Sequence, residues 1–137
     1  MRGTYFFVIA LAIASSEGNQ VWDMDDMPTE IDSTDFYGKV AHMESHRLIG
    51  NKPWFIEFYS PYCGHCQHLA PTWDMLYRRN KDTVNVARVN CTSDQGGPLC
   101  DQFQIRGYPT MYYFPVNTNV YHKYSGGRSI ESFESWL

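Results

Sequence analysis

Two cysteines separated by two residues, Cys63 and Cys66, directly follow a nearly continuous apolar run. Residues 54–59 read Trp-Phe-Ile-Glu-Phe-Tyr, which is typical of a central strand that is covered on both faces. The segment from about 64 to 80 has the pattern of a helix. The cysteines are therefore predicted to lie where a buried strand passes into the N-terminus of a helix.

This position determines what chemistry the cysteine pair can perform. The unpaired N–H groups and the dipole of a helix N-terminus favour a thiolate, and the imidazole of His65 can stabilise it further. Cys63, nearest the helix start and solvent, is expected to attack a disulfide, and Cys66, one turn further, to resolve the product. Two alternatives remain, namely an inert disulfide and a zinc site that includes His68 but has no clear fourth ligand.

The other segments alternate between strand and helix patterns. Strands are predicted near 29–32, 54–59, 84–89, 110–114 and 120–124, and helices begin near 33, 64, 96 and 129. This order, βαβαβαββα, predicts an α/β fold with a central mixed β-sheet flanked by helices on both faces.

The first helix is expected to be capped by Ser33 or Thr34 and to be ended by the glycine at 50. Phe36, Val40 and Met43 would form its apolar face. For the last helix, Ser129 is the predicted cap. The sequence stops inside that helical pattern, which indicates either a short helix or a fragment of a longer protein.

The first residues have the pattern of a targeting signal. Arg2 precedes an apolar run of ten residues, Tyr5 to Ala14, and small residues follow it. We predict a signal peptide over residues 1–16, since the run is shorter than the roughly 20 residues that cross a bilayer. The alternative is a core helix or strand. Residues 17–27 are predicted to be an acidic flexible leader, and residues 28–137 a single domain.

Composition and cysteine count restrict the partners and the disulfides. A net charge of −4 without a basic run argues against nucleic acid as a partner. In the secretory pathway the four cysteines can form disulfides, and three pairings exist. The short spacing pairs Cys63 with Cys66 and leaves Cys91 with Cys100, either as a structural disulfide or as a second redox pair.

Two segments carry a resemblance to a known family. Residues 55–73, with the Cys-Gly-His-Cys motif, resemble the active-site segment of protein disulfide isomerases, and residues 105–110 resemble the cis-proline loop of that family. The resemblance extends over residues 28–137 and implies a thioredoxin fold. The chain departs from the family pattern at Tyr62, where tryptophan is usual, and it has only one redox motif.

The resemblance also implies roles for three charged residues. Glu57 lies inside the apolar strand, where burial should raise its pKa, and in the family this position exchanges protons with the second cysteine, here Cys66. Arg88 stands where the family has a lysine that pairs with the glutamate. Arg106 matches an arginine that approaches the second cysteine and lowers its pKa. The alternatives are a glutamate that points to solvent and an ordinary surface arginine.

The segments next to the cysteines are predicted to bind substrate. Tyr62 and Gly64 would lie beside Cys63, and the Tyr108–Pro109 bond is expected to be cis and to face that thiol. Backbone groups of this loop could then pair with an extended substrate segment. The alternative is an ordinary trans turn.

These residues together predict an enzyme, a thiol–disulfide oxidoreductase or isomerase that acts on secretory-pathway client proteins. The alternatives are a thioredoxin-fold chaperone or binding module for unfolded clients and a reductive thioredoxin. Expected partners are unfolded or misfolded cysteine-containing clients, with glutathione or a sulfhydryl oxidase as redox partner and with no membrane span. No organic cofactor or metal is required. The endoplasmic reticulum lumen is the expected location, and secretion stays open because no C-terminal retention signal is present.

Overall fold

The computed structural model describes residues 26–137, so the predicted signal peptide and most of the acidic leader lie outside the described residues. The elements follow the predicted order. The strands are β1 (Thr29–Glu30), β2 (Trp54–Tyr59), β3 (Asn85–Asn90), β4 (Thr110–Phe114) and β5 (His122–Lys123). The helices are α1 (Ser33–Asp35), which continues as a π-helical turn over Phe36–Val40, then α2 (Gly64–Asn80), α3 (Gly97–Gln102) and α4 (Ile130–Trp136). Between residues 26 and 137, none of these helices has the length and apolarity needed to cross a membrane.

The five strands form one mixed sheet in the order β1-β3-β2-β4-β5, which confirms the predicted architecture. β1, β3 and β2 are parallel, whereas β4 and β5 are antiparallel to their neighbours. β2 lies at the centre and pairs along its length with β3 and β4. Its four middle residues, 55–58, are all buried, and this explains its continuous apolar run.

Each face of the sheet carries its own core cluster. On one face α2 and α4 pack against β2, so that Trp73 and Phe133 enclose Phe55 with ring centroids 4.9 and 5.9 Å from it. On the other face the π-helical turn and α3 cover the remaining core residues of β2. The Trp73 indole N–H also donates to the carbonyl of Ala87 on β3 at 3.2 Å. This bond fixes α2, and with it the cysteine pair, against the sheet.

The predicted cap of the first helix is wrong. The Asp32 side chain, rather than that of Ser33 or Thr34, accepts a hydrogen bond from the Asp35 backbone N–H at 2.8 Å. The Asp32 backbone is extended, with φ of −120° and ψ of −171°, as an N-cap requires. The N-cap therefore lies one residue before Ser33 and two before Thr34.

The predicted length of that helix is also wrong. The helical turns end at Val40, and the next residue, Ala41, is extended and pairs with Leu48 in an isolated antiparallel bridge. Met43 falls in the turn between them and is 68% exposed, so it has no place on the apolar face. Gly50 adopts φ of +87°, a left-handed conformation that suits glycine, but in the turn before β2 and not at a helix end.

Replacing Phe133 with alanine tests whether α4 is needed to close the core over β2. Phe133 is fully buried, and its loss should leave a cavity that lowers the free energy of unfolding by about 3–5 kcal/mol. Urea denaturation measures this, with Glu131→Ala on the exposed side of the same helix as the control. A loss below about 1 kcal/mol for Phe133→Ala would show that α4 contributes little to the core.

Candidate redox-active site

The cysteine pair lies at the predicted junction between a strand and a helix. β2 ends at Tyr59, and the Cys63 backbone N–H then donates to the Ser60 carbonyl at 3.2 Å to close a turn. Cys63 is the N-cap of α2, and its Sγ accepts from the Cys66 backbone N–H at 3.4 Å. Its sulfur therefore occupies the place where a helix N-terminus stabilises negative charge.

The two thiols differ in exposure and in acidity. Both are free in this structure; Cys63 is half-buried and Cys66 is buried. Hydrogen bonding from the Cys66 thiol lowers the pKa of Cys63, and backbone N–H groups of Cys66 and His65 act in the same direction. Burial, by contrast, raises the pKa of Cys66 to about 12. Cys63 is thus suited to be the nucleophile, while Cys66 needs a base before it can react.

The cis-proline loop faces the Cys63 thiol. The Tyr108–Pro109 peptide bond is cis, and the Cys63 thiol lies 3.6 Å from the Tyr108 carbonyl oxygen, to which it donates. A surface groove of about 490 Å³ continues from this loop, lined by residues 104–112, 123–126 and Arg128. Tyr62, the residue before Cys63, is 85% exposed.

Glu57 shares a small cavity with Cys66. The cavity has a volume of about 150 Å³ and is lined by Glu57, Tyr59, Ser60, Pro61, Cys66, Gln67, Ala70 and Arg88. Glu57 is only 2% exposed, which excludes the alternative of a glutamate that points to solvent. Burial raises its pKa from 4.5 to about 7, while the charge of Arg88 opposes this shift. The carboxyl group can therefore gain or lose a proton near neutral pH within the cavity that reaches the Cys66 thiol.

Arg88 is ion-paired with a different carboxylate from the one the resemblance implied. Its Nε lies 2.7 Å from an oxygen of Glu30 on β1. No ion pair between Arg88 and Glu57 occurs within residues 26–137. Arg88 still lowers the pKa of Glu57 through its charge, because β3 and β2 place the two residues side by side.

A second arginine whose charge reaches the site, Arg128, is one that the sequence analysis missed. The charge of Arg128 lowers the pKa of both Cys63 and Glu57. Arg128 follows the Gly126-Gly127 turn, and this turn before the last helix was its only signal in the sequence. Arg106 lines the groove beside the cis-proline loop and is exposed. In the described part of the chain it forms no hydrogen bond or ion pair with either cysteine, so its role stays a prediction.

The histidines and the remaining cysteines lie outside this arrangement. His65 acts on Cys63 through its backbone N–H, and a role for its exposed imidazole stays a prediction. Over residues 26–137 no three His, Cys, Asp or Glu side chains converge on a metal site. The structure joins Cys91 and Cys100 in a disulfide with an S–S distance of 2.06 Å. It packs against the core on the α3 side of the sheet, the face opposite to Glu57.

Comparison with known proteins identifies the family. The thioredoxin family profile matches residues 30–137. The chain belongs to the thioredoxin family. It is similar to protein disulfide-isomerase A6 of Mus musculus, with 42% identity over 58% of this chain and 18% of that protein. It is also 37% identical to the thioredoxin domain-containing protein 5 homolog of Drosophila melanogaster, over 61% of this chain and 20% of that protein.

Solved structures agree with the thioredoxin assignment. The J-Trx1 fragment of ERdj5 superposes with a TM-score of 0.67 and 31% identity, over 82% of this chain and 50% of that structure. The Trx4 domain of ERdj5 has the same TM-score at 22% identity over 80% of this chain and 91% of that structure, which shows the shared fold. This thioredoxin-family chain spans about a fifth of the length of the two curated relatives named above.

The unequal acidity of the two thiols predicts selective alkylation. At pH 7 in the reduced protein, iodoacetamide should modify Cys63 first, because its pKa is lowered and that of Cys66 is raised. Arg128→Gln should slow this modification roughly two- to threefold, since a favourable positive charge is lost at an exposed and partly screened position. Mass spectrometry of timed samples measures both rates. Arg47→Gln is the control, and faster modification of Cys66 than of Cys63 would contradict the assignment.

The burial of Glu57 predicts how stability depends on pH. Because its pKa is raised in the folded state, ionising Glu57 costs stability, and the cost grows from pH 4.5 and is complete above about pH 7. Glu57→Gln should therefore raise the free energy of unfolding at pH 8 by about 3 kcal/mol. The gain should be close to zero at pH 4, where the carboxyl group is neutral in the folded state and mostly neutral in the unfolded state. Urea denaturation of the reduced protein across this range measures it, and an equal change at both pH values would exclude titration of Glu57 as its cause.

Proposed function

We propose that this chain is a thiol–disulfide oxidoreductase and isomerase that forms or rearranges disulfides in client proteins. One observation carries the proposal: a free thiol of lowered pKa caps α2 beside the cis-proline loop, and a second free thiol lies buried one turn below it. Similarity to proteins named protein disulfide-isomerase supports it.

The reaction begins at Cys63. Its thiolate attacks one sulfur of a client disulfide, so that the client S–S bond breaks and the other client sulfur leaves as a thiolate. A mixed disulfide between Cys63 and the client now exists. The released client thiolate can attack a second client disulfide, which breaks and frees another client thiolate. When that thiolate attacks the client sulfur of the mixed disulfide, a new client disulfide forms and Cys63 leaves as a thiolate. This sequence is isomerisation without net electron transfer.

The alternative fate of the mixed disulfide uses Cys66 and Glu57. The Glu57 carboxylate accepts the proton of the Cys66 thiol through the cavity that they share. The Cys66 thiolate attacks Cys63, the intramolecular disulfide forms, and the client leaves reduced by two electrons. In the reverse direction the Cys63–Cys66 disulfide accepts two electrons from a client dithiol, and glutathione disulfide or a sulfhydryl oxidase then reoxidises the pair.

Client binding is assigned to the surface around Cys63. The Tyr108 carbonyl and the neighbouring backbone can pair with an extended client segment, in the way that a strand adds to an edge. The groove beside the loop, which includes Arg106, gives such a segment room to continue. The surface beside Cys63 is also open, since Tyr62 is exposed and a Cβ atom at Gly64 would meet nothing within 4 Å. Such a surface suits unfolded or misfolded chains better than one folded partner.

We also propose that the protein works in the secretory pathway, in the lumen of the endoplasmic reticulum or after secretion. The predicted signal peptide over residues 1–16 supports this. The disulfide between Cys91 and Cys100 agrees with an oxidising compartment.

The reduction potential of the Cys63–Cys66 pair tests the direction of the proposed activity. In glutathione buffers, with thiol trapping as the readout, we expect a value near −180 mV, close to that of protein disulfide isomerase. A value near −270 mV would indicate a reductant and would exclude oxidative folding. In parallel, the wild-type chain should reactivate scrambled ribonuclease, whereas Cys63→Ser should not. If Cys63→Ser protected unfolded ribonuclease as well as the wild type and neither reactivated it, the chain would be a binding module.

A further inference from the structure

Arg88 lies between two carboxylates in a row that crosses three strands. Glu30 on β1 is in register with Arg88 on β3, and Arg88 is in register with Glu57 on β2. Residues in register on neighbouring strands point to the same face of a sheet, so all three side chains lie on the face that α2 covers. Glu30 is half-exposed at the sheet edge, whereas Glu57 is buried at its centre. Within this row the Arg88 guanidinium group therefore has one carboxylate on each side, and its charge also reaches Asp74 on α2.

Arg88 contacts the Glu30 carboxylate at the edge of the sheet and the ring of Tyr59. Its Nε lies 2.7 Å from Glu30 Oε1, and its Cζ lies 5.4 Å from the centre of the Tyr59 ring. The Tyr59 hydroxyl donates to the same Glu30 oxygen at 2.5 Å. Glu30 and Tyr59 thus form a clamp on the guanidinium group at the sheet edge, and within residues 26–137 Arg88 forms no ion pair with Glu57.

We propose that Glu30 is a positioning residue that keeps Arg88 at the sheet edge and thereby leaves Glu57 able to carry a proton for Cys66. Glu30 contacts neither thiol and acts through Arg88. The inference rests on the proposed function in one respect, namely that Glu57 accepts the Cys66 proton when Cys66 attacks the mixed disulfide. If Arg88 were paired with Glu57, the carboxylate would be stabilised and would be a weaker base.

The sign of the effect follows from every charged or titratable group that faces Glu57. These groups are Glu30 on β1, Tyr59 on β2, Arg88 on β3, Cys66 and Asp74 on α2, and Arg128 ahead of α4. Glu30 and Asp74 favour the protonated form of Glu57, whereas the two arginines favour the carboxylate. Neutralising Glu30 removes a negative charge and also frees Arg88 to approach Glu57. Both changes favour the carboxylate, so they act in the same direction.

The direct test is the titration of the Glu57 side-chain carboxyl carbon by ¹³C NMR in the reduced protein. In Glu30→Gln the midpoint should fall by about one pH unit. In Arg88→Met it should rise, because the opposing positive charge is lost. Glu134→Gln is the matched control, since Glu134 is also a partly exposed carboxylate paired with an arginine, Arg79, at 2.9 Å. That variant should leave the Glu57 midpoint unchanged.

The functional test is the pH profile of the rate at which Cys66 displaces glutathione from a mixed disulfide on Cys63. This rate should rise with pH as Glu57 ionises. The midpoint of the rise should move to lower pH in Glu30→Gln and to higher pH in Arg88→Met. Tyr59→Phe keeps the ring and loses only the hydroxyl that holds Glu30, so it should give a smaller shift in the direction of Glu30→Gln.

Shifts of opposite sign in Glu30→Gln and Arg88→Met, both in the Glu57 midpoint and in the pH–rate profile, would support the clamp. A simple loss of stability would move the profiles of both variants in one direction. An unchanged Glu57 midpoint in folded Glu30→Gln, or shifts of the same sign in Glu30→Gln and Arg88→Met, would overturn it. The NMR titration needs no substrate. A wild-type chain that failed to reactivate ribonuclease would therefore overturn the proposed function and not this inference.

Discussion

The site depends on how firmly α2 is held against the end of β2. Phe55 and Trp73 pack across the interface between strand and helix, and the Trp73 indole N–H bonds to the backbone of β3. The helix begins at the point where the strand has ended and the chain has turned. Because this interface is buried, the Cys63 sulfur is held at the helix N-terminus and opposite the Tyr108 carbonyl. The packing of α2 on the sheet thus holds the proposed nucleophile at the helix N-terminus, where it meets the cis-proline loop.

A buried carboxyl group next to a buried thiol is the second determinant of the chemistry. Burial raises the pKa of both Glu57 and Cys66, and the two side chains line one cavity, in which we propose that the Glu57 carboxylate accepts the Cys66 proton. The stability that the fold loses by burying Glu57 is the physical basis of its pKa near neutrality. Arg88, which could have neutralised that carboxylate, contacts Glu30 at the edge of the sheet instead. The proposed base therefore keeps a pKa near neutrality at the expense of stability.

Local signals explain both the successes and the failures of the sequence analysis. The strong patterns of β2 and α2 were placed correctly, because a buried central strand has no polar face and a long helix repeats its signal over several turns. The first helix was extended too far because Met43 happens to fall at helical spacing from Val40. Its true end depends on the pairing of Ala41 with Leu48, a tertiary contact that no local pattern encodes.

The sequence by itself determined the order of elements, the cysteine pair at a helix start and the burial of Glu57, since each depends on residues close together in the chain. Only the tertiary structure decided which charges surround that glutamate. Glu30, Arg88 and Arg128 come from three distant segments, and strand register and loop closure bring them to one place. Ion pairing depends on distances of a few ångströms between side chains, which are set by packing and which the order of residues does not specify.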